Sequence, residues 1–153
     1  MRRSRYTPSF PVPILNPAAA KMYLSRQLDS HDYLKEAPKD ELYTHAKGLG
    51  YRFVTDCWHN QLVCFAIGAA LKEFCFFAKM GGGKSKTALD LLRYRKRRGE
   101  LLRGLILVPE LLHVSSWEDQ IKTHAPDLKY QLLLGDKAER FDLVERKSDI
   151  CVM

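Results

Sequence analysis

The chain has 153 residues, enough for one ordinary domain with its own core and too few for a second large lobe. Hydrophobic residues make up 46% and charged residues 28%, close to the globular average, which excludes bulk disorder. A formal net charge of +7 with a pI near 9.3 favours polyanionic partners such as nucleic acid and says nothing about fold.

Residues 1 to about 20 begin Met1-Arg2-Arg3-Ser4-Arg5, like the charged start of a signal peptide. Pro11, Pro13, Asn16 and Pro17 then interrupt any apolar core, so the stretch reads as an extended basic arm. From Ala18 to Gly48 the chain is polar and helix-permissive, and it forms with the arm an N-terminal segment over 1–48. The next domain is expected over 49–153. The longest apolar run, Leu62 to Leu71, is about half what a bilayer requires, so no membrane span is expected. Cys57, Cys64, Cys75 and Cys151 form no C-x-x-C pair and fit a reduced, cytoplasmic setting. His45, Cys57, His59 and Cys64 lack the paired spacings of structural zinc sites.

After Trp58 the pattern sharpens. Residues 59–73 suggest a helix, and Phe74-Cys75-Phe76-Phe77 is a short apolar run of the kind a parallel strand covered on both faces needs. A glycine loop follows, then a helix from about Lys84 to Arg98 and a second buried-strand run at Leu105-Ile106-Leu107-Val108, closed by Pro109. This βαβ unit is extended by a helix near Leu111–His124, a strand near Lys129–Leu134, a short helix near Lys137–Val144 and a strand at Ile150–Met153. The expected class is α/β with a parallel sheet. The last strand has no cap or turn after it, which reads as a truncated domain.

Ala78-Lys79-Met80-Gly81-Gly82-Gly83-Lys84-Ser85 fits the phosphate-loop pattern, with alanine at its first glycine, and sits between a strand and a helix as that motif requires. The glycines let backbone N–H groups and the positive end of the helix dipole face an anion. Lys84 is the candidate for the β- and γ-phosphates and for catalysis, and the Ser85 hydroxyl for Mg²⁺. Thr87 is read as a plain helix residue. The basic run Arg93, Arg95, Lys96, Arg97 and Arg98 ends a helix about 20 Å from the loop and is read as structural, complementing the helix dipole.

Together, Phe53 to Met153 resembles superfamily 2 helicases, particularly Swi/Snf-type and phage DEAD/DEAH-like ATPases. Met80-Gly81-Gly82-Gly83-Lys84-Ser85 is similar to motif I, with serine for the usual threonine and Ala78-Lys79 for the usual acids. Phe53-Val54-Thr55-Asp56-Cys57-Trp58-His59-Asn60-Gln61 resembles the adenine-reading segment, which makes Gln61 the candidate for the base edge. Leu105 to Ile121 resembles motif Ia, so Pro109, Glu110, Leu111 and Leu112 are candidates for nucleic-acid backbone contact, while Trp117 is read as core packing. Leu133-Leu134-Gly135-Asp136 and Ser148 to Met153 resemble the stretch before motif II.

The resemblance implies a RecA-like P-loop NTPase domain and ATP with Mg²⁺ as cofactors. It further implies double-stranded DNA as partner, in the cytoplasm of a bacterium or phage-infected cell, and a full-length ATP-dependent helicase or translocase. The acidic pair of motif II and a second lobe are not among these residues, so this chain alone is expected to turn over little ATP. The competing readings are another phosphate-loop enzyme, such as a small kinase, and a non-catalytic nucleotide-binding remnant.

Overall fold

The computed structural model describes residues 33–71, 78–101, 103–110 and 112–153. The strand expected at Phe74–Phe77 lies outside the described residues, as does Leu111. The chain divides into two compact units, Met1–Glu36 and Ala37–Met153. In the first, the described element is the four-residue helix α1 (Tyr33–Glu36).

The second unit opens with α2 (Lys39–Gly48), which buries Leu42 and Ala46 on one side. α3 (His59–Ala70) carries a nearly unbroken apolar sequence and buries Leu62, Val63, Phe65, Ala66 and Ile67, as a helix hydrophobic on most sides must. α4 (Lys84–Arg97) lies against α3 on one side and α5 (Leu112–His124) on the other. Among the described residues the sheet has three strands: β1 (Gly104–Ile106), β2 (Tyr130–Leu132) and β3 (Ile150–Val152). Their order is β1-β3-β2, and both pairings are parallel, with Gly104 and Tyr130 flanking Ile150. α6 (Lys137–Glu145) precedes β3.

The α/β class and the parallel sheet therefore stand, and each described strand is shorter than the apolar run that announced it. The expected run Leu105–Val108 pairs only over Gly104–Ile106, although the Val108 N–H still donates to the Met153 carbonyl at 2.8 Å. Nor is the run buried on both faces, as expected of it. Alternate residues face opposite sides, and Leu105 and Leu107 are 59% and 66% exposed, whereas Ile106 and Val108 pack on the core.

That core joins Leu89 of α4, Val114 and Ile121 of α5, Ala125, Leu128, and Ile150 and Val152 of β3. Trp117 is partly buried against it, the packing role its sequence context suggested. A second cluster is aromatic: Tyr51 stacks on Phe65 at 4.8 Å between centroids, and Tyr94 meets Phe65 edge-on at 5.7 Å. These rings fix α3 against α4. α6 buries none of its residues. It is held at its start by a reciprocal cap, in which Asp136 accepts from the Glu139 N–H at 2.9 Å and Glu139 accepts from the Asp136 N–H at 2.8 Å. Among the described residues, no helix is long and apolar enough to cross a membrane.

Candidate phosphate-binding loop

α4 begins at the C-terminal edge of the sheet, because its far end leads into β1 and Lys96 there reaches Asp149 at the start of β3. Its N-cap is Gly83, at φ 71°, in the left-handed region that favours glycine. Glycine has no side chain to cap the helix, so the first-turn N–H groups of α4 have neither an i−4 partner nor a capping oxygen from this residue. Gly81 also has positive φ, 76°. Between them the Gly82 N–H donates to the Lys79 carbonyl at 3.1 Å, which closes the turn. The loop stands out from the body: Ala78, Lys79, Met80 and Gly81 are exposed, Met80 to 97%.

Lys84 curls back over the loop, its ammonium donating to the Ala78 carbonyl at 2.9 Å and the Lys79 carbonyl at 3.0 Å. The cation is thus held at the loop mouth by two neutral acceptors. Ser85 follows, half-buried, in the first turn of α4. Thr87 is buried and its hydroxyl donates back to the Gly83 carbonyl at 3.3 Å, a helix role as expected.

Gln61 lies against this loop. Its Oε1 accepts from the Trp58 N–H at 2.8 Å, capping α3, and its Nε2 donates to the Gly83 carbonyl at 3.3 Å. The contact is close enough that a Cβ on Gly83 would fall 2.0 Å from Nε2. One N–H and one lone pair of the carboxamide are left over. Asn60, which the sequence did not single out, donates from Nδ2 to the Gly82 carbonyl at 3.1 Å. Its signal was position alone: it neighbours Gln61 in the first turn of α3, where side chains reach toward whatever faces the helix N-terminus. The two amides bind successive carbonyls of the loop and fix its orientation.

Pro109 and Glu110 are exposed where the chain leaves β1 at the same sheet edge, and Leu112 opens α5. The Glu110 carbonyl accepts from the His113 N–H at 3.0 Å, which leaves the Pro109–Glu110 turn facing outward beside Met153.

One turn beyond the loop, α4 carries a buried polar network that the sequence reading missed. Lys86, 5% exposed, donates to Asp90 Oδ2 at 2.7 Å and to Cys57 Sγ at 3.0 Å. Asp90 Oδ1 accepts from the Tyr51 hydroxyl at 2.7 Å, and Arg93 donates to that same hydroxyl at 2.7 Å. Arg93 also forms a two-pronged pair with Asp127. Burial opposes charge on Lys86, yet hydrogen bonds to Asp90 and Cys57 outweigh it and lift its pKa. Burial, reinforced by Asp90, pushes the Tyr51 hydroxyl far up. Burial also raises the Cys57 thiol despite the nearby ammonium. The legible signal was the spacing of Lys86, Asp90 and Arg93, which repeats every three to four residues on one helix face.

Arg95 and Arg98 are paired with Glu100, Lys96 with Asp149, and Arg97 lies 3.7 Å from Asp127. The structural reading of this basic run agrees with those partners. Protein-family models give no match to this chain, and no curated protein matches it.

Proposed function

We propose that the chain is the ATP-binding portion of an ATP-dependent DNA helicase or double-strand DNA translocase, built on a RecA-like α/β domain. The observation that carries this reading is the glycine loop capping α4, with Lys84 at its mouth and Asn60 and Gln61 bracing its carbonyls. Uncapped first-turn N–H groups, two glycines at positive φ and a cation with exchangeable partners suit a polyphosphate. The resemblance to motifs I and Ia selects the helicase class among phosphate-loop proteins.

In this reading MgATP supplies the phosphoryl bond whose cleavage drives stepping. The N–H groups from Lys84 onward would hold phosphate oxygens, and Lys84, now on the Ala78 and Lys79 carbonyls, would bind the β- and γ-phosphates. The Ser85 hydroxyl would help hold the magnesium. Gln61, 5% exposed and braced against Gly83, would meet the adenine edge with its remaining N–H and lone pair. Pro109 to Leu112 contribute to the DNA backbone contact. The cytoplasm of a bacterium or phage-infected cell is the setting proposed.

The test is calorimetric titration of the chain with Mg²⁺ and a non-hydrolysable ATP analogue. Saturable binding, lost in Lys84→Ala and weakened against GTP by Gln61→Ala, supports the reading. Absence of any nucleotide binding overturns it.

A further inference from the structure

At the opposite edge of the sheet, each parallel strand is entered through a charged residue. Arg103 precedes Gly104, Lys129 precedes Tyr130, and Asp149 precedes Ile150. The register aligns Gly104 and Tyr130 on either side of Ile150, so the three stand in a row, with strand spacings of about 4.8 Å. The acid in the centre is turned inward. Asp149 Oδ2 accepts from the Lys96 ammonium and from the Lys129 N–H, both at 2.7 Å, and these partners hold its pKa down although burial pushes the other way.

Arg103 is fastened in place by donating to the Val144, Arg146 and Ser148 carbonyls, where α6 ends. The ammonium groups of Lys129 and Lys147 are exposed and have no ion-pair partner among the described residues. Together Lys96, Arg103, Lys129, Lys147, Ser148 and Asp149 line an open depression of about 480 Å³. It holds four cations and one carboxylate already neutralised by Lys96.

We infer that this rim is a contact surface for the phosphodiester backbone of duplex DNA, separate from the glycine loop and from Pro109–Leu112. Lys84 and Lys96 are twelve residues apart on one helix, so the rim lies about 18 Å from the loop. Cations spread along the rim, Arg103 fixed by backbone carbonyls and Lys129 and Lys147 exposed, suit a row of phosphates more than a single small anion. The chain's net charge of +7 agrees with a polyanion. Backbone contacts of this kind position the duplex without reading its sequence. The choice of DNA as the polyanion rests on the proposed function; the rim itself does not.

The test is fluorescence anisotropy of a short mixed-sequence DNA duplex with the full chain and with Lys129→Gln/Lys147→Gln, across a salt series. The double variant is expected to bind about tenfold more weakly and to lose about 2 from the salt slope, one for each phosphate contact removed. Its affinity for the MgATP analogue should stay unchanged. Unchanged duplex affinity and slope would overturn the inference while leaving the nucleotide reading intact. Acetylation footprinting of the unaltered chain supplies a check free of substitutions: duplex should protect Lys129 and Lys147, and equal reactivity with and without it sinks the rim. Displacement of duplex by poly-glutamate at equal charge concentration would overturn the assignment to DNA.

Discussion

Lys84 and Lys86 sit two positions apart on the same helix and live in different physical worlds. Lys84 is exposed and holds two loop carbonyls that it can release. Lys86 is 5% exposed and fixed between Asp90 and Cys57, with its charge also over the Phe53 ring at 5.2 Å. A helix turns by about 100° per residue, so a step of two positions moves a side chain from the loop mouth to the packed face. The difference teaches that a cation's role here is set by the face it occupies and by the partners that can leave it.

The contrast breaks most sharply at Asp90. Asp90→Ala would leave the buried Lys86 without its carboxylate and the Tyr51 hydroxyl without its acceptor, while Arg93 keeps Asp127, and should cost about 3–5 kcal/mol in urea unfolding. Lys86→Met/Asp90→Leu should cost less than Asp90→Ala alone, because it removes both charges of the pair together. Equal costs would show that the pair is not coupled.

Gly83→Ala comes next, with a cost of about 1–2 kcal/mol for a Cβ in the left-handed region, plus displacement of Gln61. Gly81→Ala meets nothing within 4 Å, so it should cost the conformational part alone. The excess of Gly83→Ala over Gly81→Ala should vanish in a Gln61→Ala background, as measured by thermal unfolding.

Lys84→Ala should shift stability by no more than about 0.5 kcal/mol, while abolishing the rise in melting temperature caused by MgATP. A large stability loss would mean that Lys84 is a structural residue like Lys86.

The smallest effect concerns His124, whose Nδ1 lies 2.7 Å from the Thr55 hydroxyl. Burial, with help from Lys86, lowers its pKa below the ordinary 6.5. The folded state therefore prefers the neutral ring. Its contribution is fully present above pH 6.5 and is lost as pH falls from there toward the folded value. His124→Phe should flatten that part of the stability profile, and a profile unchanged by the substitution would remove His124 from it.

The loop was legible because its chemistry is local: glycine, lysine and serine at fixed offsets between a strand pattern and a helix pattern. Helix extents were legible for the same reason, with α4, α5 and α6 each within a residue or so of their expected ends. The Lys86–Asp90–Arg93 network was not, because its partners Tyr51 and Asp127 come from 39 and 34 residues away along the chain. Sequence spacing showed a charged stripe, which usually means a solvated face; only packing of α4 on both sides turned it inward. The basic rim was hidden likewise, since Arg103, Lys129 and Asp149 become neighbours only through strand register.

The strand order carries a consequence for how this chain comes into being. Among the described strands, β3 is the last in sequence and the middle one in space, and β1 and β2 each pair with it. On a ribosome, neither of its described neighbours has this partner until residues 150–152 emerge. The pairing of these three strands therefore waits on Ile150–Val152, a non-local closure of the kind that slows sheet formation.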